Sequence, residues 1–209
     1  PAASFANGEV GGAWDFTDPA QMTVNADGTG GVPATDGAVG RVLDLSGNGN
    51  HLRVPSGQGT PTLRLASGQH RVEFDGVNDA LAVPSAGFAI DQMTAIFAFR
   101  VPANPGGRFV NWGAFDDPDW NNANAMVGYF DDLDPDVEMV FQSGGSGLVV
   151  RSGLIPKGDL VIAVLGRDGT AATLGIDGTE TTGTMGTPNA THTGPFVVGA
   201  SYFRATYGS

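Results

Sequence analysis

The chain has 209 residues, 41% of them hydrophobic, and no cysteine, so a core can form without disulfides, and thiolate metal sites and thiol catalysis are excluded. Ten Lys and Arg against 22 Asp and Glu give a net charge of −12, which argues against nucleic acid and anionic lipid surfaces as partners. No apolar run approaches the ~20 residues that span a bilayer, and 33 Gly with 13 Pro predict many tight turns.

In chain order, residues 1–40 are rich in Gly, Ala and Asp with little periodicity. They read as an irregular N-terminal arm packing on the rest, anchored by Trp14 and Phe16. Strand signals then become dense. Arg41–Leu45 runs into the turn Ser46-Gly47-Asn48-Gly49-Asn50, and the short runs Pro61–Leu65 and Arg71–Phe74 flank Ser67-Gly68. Met93–Val101 alternates, with Met93, Ala95, Phe97, Phe99 and Val101 on one face, as a half-buried strand does. Phe109–Trp112, Ala125–Phe130, Val137–Gln142 and Leu148–Arg151 continue the series. The continuously apolar Leu160–Leu165 predicts a central strand buried on both faces. Asp168-Gly169 and Asp177-Gly178 then turn a three-stranded meander through Ala171–Ile176 and Thr179–Thr182, and Phe196–Ala200 forms the last complete strand. So many short strands without helical periodicity predict an all-β, antiparallel two-sheet sandwich.

Four segments carry a resemblance: Asp44-Leu45-Ser46-Gly47-Asn48-Gly49-Asn50, Glu73-Phe74-Asp75-Gly76-Val77-Asn78-Asp79, Leu174-Gly175-Ile176-Asp177-Gly178 and Phe196-Val197-Val198-Gly199-Ala200. In order and spacing, residues 41–209 resemble the concanavalin A-like lectin/glucanase (laminin-G-like) jelly rolls. The acidic Gly-rich opening and the Phe74–Asp79 hairpin are similar to modules of phage and phage-like particles, found in fibres, spikes or capsid decorations. The resemblance implies a concanavalin A-like jelly roll over 41–209 behind the 1–40 arm. It also implies a closing strand beyond Tyr202, of which Tyr202–Tyr207 is the beginning, so truncation or completion of the edge by a neighbour is expected.

The segment Phe115–Glu138 concentrates carboxylates. Ca²⁺ takes six to eight oxygen ligands, and Asp116, Asp119, Asp131 and Asp132 are the candidate ligands, set against two solvated loops without EF-hand spacing. No other cofactor is expected. Trp120 with Asn121, Asn122 and Trp112 offers aromatic faces and amides for a sugar, although Trp112, ending a strand, also suits a core. Asp134-Pro135-Asp136-Val137-Glu138 is similar to the alternating acids of glucanases with this fold, but the first position is an aspartate before a proline, so no catalysis is expected there. His51, His70 and His192 read as turn and surface residues. Gly144–Gly147 reads as a hairpin turn, and Asn189-Ala190-Thr191 as a glycosylation acceptor.

These readings make a non-enzymatic structural and adhesive module on a phage or phage-like particle the expectation, at a virion surface or outside the cell. It would contact host-surface glycans weakly and multivalently, with virion proteins or copies of itself as partners. A free-standing secreted carbohydrate-binding domain is the second reading and a glycoside hydrolase the third.

Overall fold

The computed structural model describes residues 5, 7–84, 88, 91–103, 107–112, 126–143, 149–186 and 195–199. The described residues contain no α-helix. A 3-10 turn at Pro19–Gln21, N-capped by the Asp18 carboxylate on Ala20 N, is followed by β1 (Met22–Thr23), β2 (Arg41–Val42), β3 (Leu52–Arg53), β4 (Thr62–Ala66), β5 (Gln69–Glu73) and β6 (Leu81–Val83). Then come β7 (Gln92–Arg100), β8 (Gly107–Trp112), β9 (Met126–Asp132), β10 (Asp136–Ser143) and β11 (Val149–Pro156). The chain continues with β12 (Leu160–Asp168), β13 (Ala171–Ile176), β14 (Thr179–Thr184) and β15 (Phe196–Val198). The chain clusters into two compact units, Pro1–Phe88 with Pro195–Ser209, and Ala89–Gly194.

In the first unit β1, β2, β3, β6 and β15 lie side by side, each pair antiparallel, while β4 and β5 form a separate hairpin. Met22, Val39, Val42, Leu52, Leu63 and Leu81 are fully buried. Trp14 stacks on Phe196 with centroids 5.2 Å apart, so the opening segment is fixed by an aromatic anchor.

The second unit is a sandwich of two antiparallel sheets, β8-β9-β10-β11 and β7-β12-β13-β14. Alternation gives each strand one inward row, and the two rows meet through aromatic rings. Phe97 of β7 stacks on Phe141 of β10 at 5.9 Å, and Phe99 reaches Phe109 and Phe130 at 5.6 Å each. Gly128 makes room for this cluster: a Cβ there would sit 2.7 Å from both Phe141 and Val110.

The predicted turns hold where positive φ is needed. Asp177 (+48°) and Gly178 (+86°) close the β13–β14 hairpin, and Ser67 (+52°) with Gly68 (+78°) closes β4–β5. The expectation for Leu160–Leu165 is corrected. Val161, Ala163 and Leu165 are buried, but Leu160, Ile162 and Val164 are exposed, so β12 covers a core on one face only. A continuous apolar run has no alternation to mark its outer row, and it was this run, not the sheet, that suggested two buried faces.

Candidate active site

The carboxylates of the recurring Asp motifs are consumed by their own turns. Asp44 accepts from Ala13 N, Ser46 N, Ser46 Oγ and Asn50 N at 2.7–2.9 Å. Burial pushes the Asp44 carboxyl up, but these donors together outweigh it and hold the group below its ordinary value. Asp75 accepts from the amides of Val77, Asn78 and Asp79, and Asp79 accepts from Asp75 N. Asp177 accepts from Ile162 N at 2.8 Å. These groups build loops and leave little for a ligand.

The acid-rich segment is different. Successive side chains of a strand point to opposite faces, so adjacent Asp131 and Asp132 at the end of β9 part company. Asp132 pairs with Lys157 at 2.7 Å, and Asp134, beyond the strand, pairs with the same ammonium at 3.2 Å. The hydrogen bond from Lys157 holds the Asp132 carboxyl below its ordinary value, and that bond in turn raises the lysine.

On the other face Asp131 stands directly opposite Glu138 of β10. Arg151 of β11 bridges them: its Nη1 lies 2.5 Å from Asp131 Oδ2 and 2.9 Å from Glu138 Oε2. The two oxygens therefore lie no farther apart than those contacts laid end to end, within the roughly 5–5.5 Å reach of a paired-carboxylate glycosidase site. A register slip between Glu138 and Val140 positions the cation. Glu138 faces Leu154 and Val140 faces Arg151, so Arg151 sits diagonal to Glu138. Met139 N, opposite the irregular stretch, donates to Ser152 Oγ at 2.9 Å.

Tyr129 completes the row, opposite Val140 and two residues from Asp131. Burial, and then the Asp131 charge, push its phenol up, with Arg151 opposing. The side chains of Glu138 and Asp131 are 24% and 38% exposed, reachable from solvent yet held by the sheet. Two carboxylates, a guanidinium and a phenol thus share one outward face of β9, β10 and β11. This set can bind hydroxyl groups and move a proton.

The sequence points to part of this set, with other partners beside each residue. Asp131 was a calcium candidate beside Asp132, but each is engaged by a different cation on a different face. Among the described residues no group of three or more His, Asp or Glu side chains gathers for a metal ion. Glu138 was weighed against Asp134, whereas its cross-strand neighbour is Asp131. Trp112, a sugar-contact candidate, is 3% exposed and meets Phe97 edge-on at 6.1 Å, so it belongs to the core. Asp116, Asp119, Trp120, Asn121 and Asn122 lie outside the described residues, as do Gly144–Gly147, His192 and Asn189–Thr191. Arg151 was missed, because its place beside Glu138 depends on the register slip between β10 and β11.

No protein-family model and no curated protein matches the chain. Solved structures do. A GH54 α-L-arabinofuranosidase soaked with a cyclic sulfate inhibitor is similar over 95% of this chain and 57% of its own, at 12% identity and a TM-score of 0.58. A mutant GH54 α-L-arabinofuranosidase soaked with 4-nitrophenyl α-L-arabinofuranoside gives the same coverage at 13% identity and 0.56. An arabinofuranosidase complexed with arabinofuranosyl-α-1,2-xylobiose is similar over 90% of this chain and 52% of its own, at 13% identity and 0.53. The chain spans just over half the length of these structures, and the likeness is one of fold. It agrees with the predicted all-β sandwich. It also corrects the expectation of a non-enzymatic phage-particle module, because these three similar chains are arabinofuranosidases.

Proposed function

We propose that the chain is a glycoside hydrolase-type β-sandwich that cleaves glycosidic bonds on the outer face of β9, β10 and β11, with Asp131 and Glu138 as its carboxylate pair. The observation that carries this reading is their direct cross-strand opposition under one bridging guanidinium. The fold likeness to arabinofuranosidases supports the reaction class and suggests an arabinofuranoside as the first substrate to try.

A pair at this spacing suits the retaining route, in which one carboxylate attacks the anomeric carbon and the other protonates the departing oxygen. Arg151 lets two like charges sit side by side, and it holds Asp131 more closely than Glu138. We assign Asp131 as nucleophile and Glu138, the freer of the two, as acid and then base for the water that releases the sugar. Tyr129 offers a phenol for a sugar hydroxyl next to the nucleophile. Arg151 is a positioning residue.

The test is release of 4-nitrophenol from 4-nitrophenyl α-L-arabinofuranoside and a panel of other 4-nitrophenyl glycosides. Glu138→Gln and Asp131→Asn should each lower kcat/KM by roughly 10²–10⁴-fold while leaving the circular dichroism spectrum unchanged. Added azide should restore turnover to both variants, giving the glycosyl azide with inverted configuration from Asp131→Asn and with retained configuration from Glu138→Gln. Wild-type activity that survives both substitutions, or no turnover of any substrate, would refute the proposal.

A further inference from the structure

In a chain of net charge −12, a guanidinium without a hydrogen-bonded acceptor needs a reason. Among the described residues Arg64, Arg71, Arg100, Arg151 and Arg167 each donate to an oxygen. Arg41 and Arg53 do not, and they stand directly opposite each other on β2 and β3. Like charges in that relation destabilise a strand pair. Arg41 Nε is also buried without a hydrogen-bond partner, a second cost.

The surroundings hold the pair in place but bridge neither guanidinium with a hydrogen-bonded acceptor. The Arg41 guanidinium lies against the turn at Gly28, where a Cβ would strike its Nη1. Asp27 in that turn opposes the Arg41 charge from a distance without hydrogen-bonding to it, its Oδ1 being taken by Thr29 N and Thr29 Oγ1 at 2.9 and 2.7 Å. His51 lies close enough to feel both cations: burial first, then the charges of Arg41 and Arg53, hold its imidazole below the ordinary value. Its Nδ1 accepts from Asp44 N at 3.0 Å, so the ring keeps its proton on Nε2 as a further donor.

We propose that Arg41 and Arg53 form an oxyanion-binding site that clamps a carboxylate, sulfate or phosphate group between their two guanidiniums. Paired strand positions lie roughly 4.5–5.5 Å apart at Cα, so one anion reaches both side chains. The planar forks of arginine match the oxygens of such groups. A bound anion converts the repulsive pair into a bridged one and supplies an acceptor to a donor that has none. The site is independent of any hydrolytic role of Asp131 and Glu138, since it needs neither residue.

Two probes separate a free anion from a sugar-borne one: sodium sulfate, and sodium D-glucuronate with glucose as the neutral control. Melting temperature is followed at constant ionic strength, balanced with chloride. At about ten times the dissociation constant read from the titration, the wild-type chain should gain roughly 3–6 °C with sulfate, glucuronate or both, and nothing with glucose. Arg53→Gln, at an exposed position that keeps the fold, should abolish the gain and without anion should melt no lower than wild type. Arg41→Gln should abolish the gain as well. Equal gains in wild type and Arg53→Gln, or no gain from either anion up to tens of millimolar, would overturn the assignment.

Discussion

Replacing Asp44 with alanine removes one side chain and strands four donors. Ala13 N, Ser46 N, Ser46 Oγ and Asn50 N all end on this carboxylate, which is 9% exposed. A hydrogen bond to a charged acceptor contributes about 1.5–3 kcal/mol, and a buried donor left unpaired costs about 1–3 kcal/mol. The Ser46 hydroxyl can rotate to water, and the amides of Ser46 and Asn50 lie in a half-exposed loop where water replaces part of the loss. Ala13 N, tied across 31 positions of sequence, bears the larger share. The expected net loss is about 3 kcal/mol, or roughly 6–12 °C in Tm for a chain of this size. Asp44→Asn, which keeps an acceptor oxygen but no charge, should lose about half as much. Urea unfolding measures the global effect, and amide exchange at Ala13, Ser46 and Asn50 measures the local one. The sign with pH follows from the lowered value of this carboxyl. The folded state binds fewer protons than the unfolded chain between the two pKa values, so the stabilisation is full above the ordinary carboxylate range and is lost as pH falls through the folded value. The gap between wild type and Asp44→Asn should therefore close in acid. A loss under about 1 kcal/mol at pH 7, or unchanged exchange at Ala13, would refute the account.

Asp79 carries the opposite sign. Burial raises its carboxyl and the neighbouring Asp75 charge adds to that, so its contribution favours the folded state at low pH and is lost as pH rises through the folded value. Asp79→Asn keeps an acceptor for Asp75 N without the charge and should raise Tm at pH 7, an advantage that thermal melts should show vanishing toward pH 3. Gly128→Ala pushes a methyl against Phe141, Val110 and Phe109 at 2.7–2.8 Å and should cost about 1–3 kcal/mol in urea unfolding by overpacking.

Much of this fold is written in local pattern. The alternation in Met93–Val101 returns as β7, and the Asp177-Gly178 corner returns with both residues at positive φ, because each is decided by neighbours in sequence. β1, β3 and β6 escaped because two or three residues hold no period; they are strands only because Met22, Leu52 and Leu81 find partners from distant segments. Asp131 and Glu138 were visible as acids, yet their relation depends on register across a hairpin, and that of Arg151 on a one-residue slip, which no periodicity reports.

The division of labour among the aspartates follows from what surrounds each one. Where an aspartate is followed within a few residues by Gly, Asn or Ser, as at Asp44, Asp75 and Asp177, amides in the turn or from a passing strand converge on its oxygens and use them as structural acceptors. Asp131 and Glu138 sit instead inside strands, where the backbone donors are already spent on the ladder. A side chain, Arg151, meets their oxygens, and a side chain can yield to a substrate in a way that a ladder amide cannot. A carboxylate inside a strand on an outward face therefore keeps oxygens that the backbone does not claim, unlike one in an Asp-Gly corner. Arg41 and Arg53 apply the same logic with the charge reversed, since strand positions fix their side chains opposite each other and leave them for a ligand to bridge.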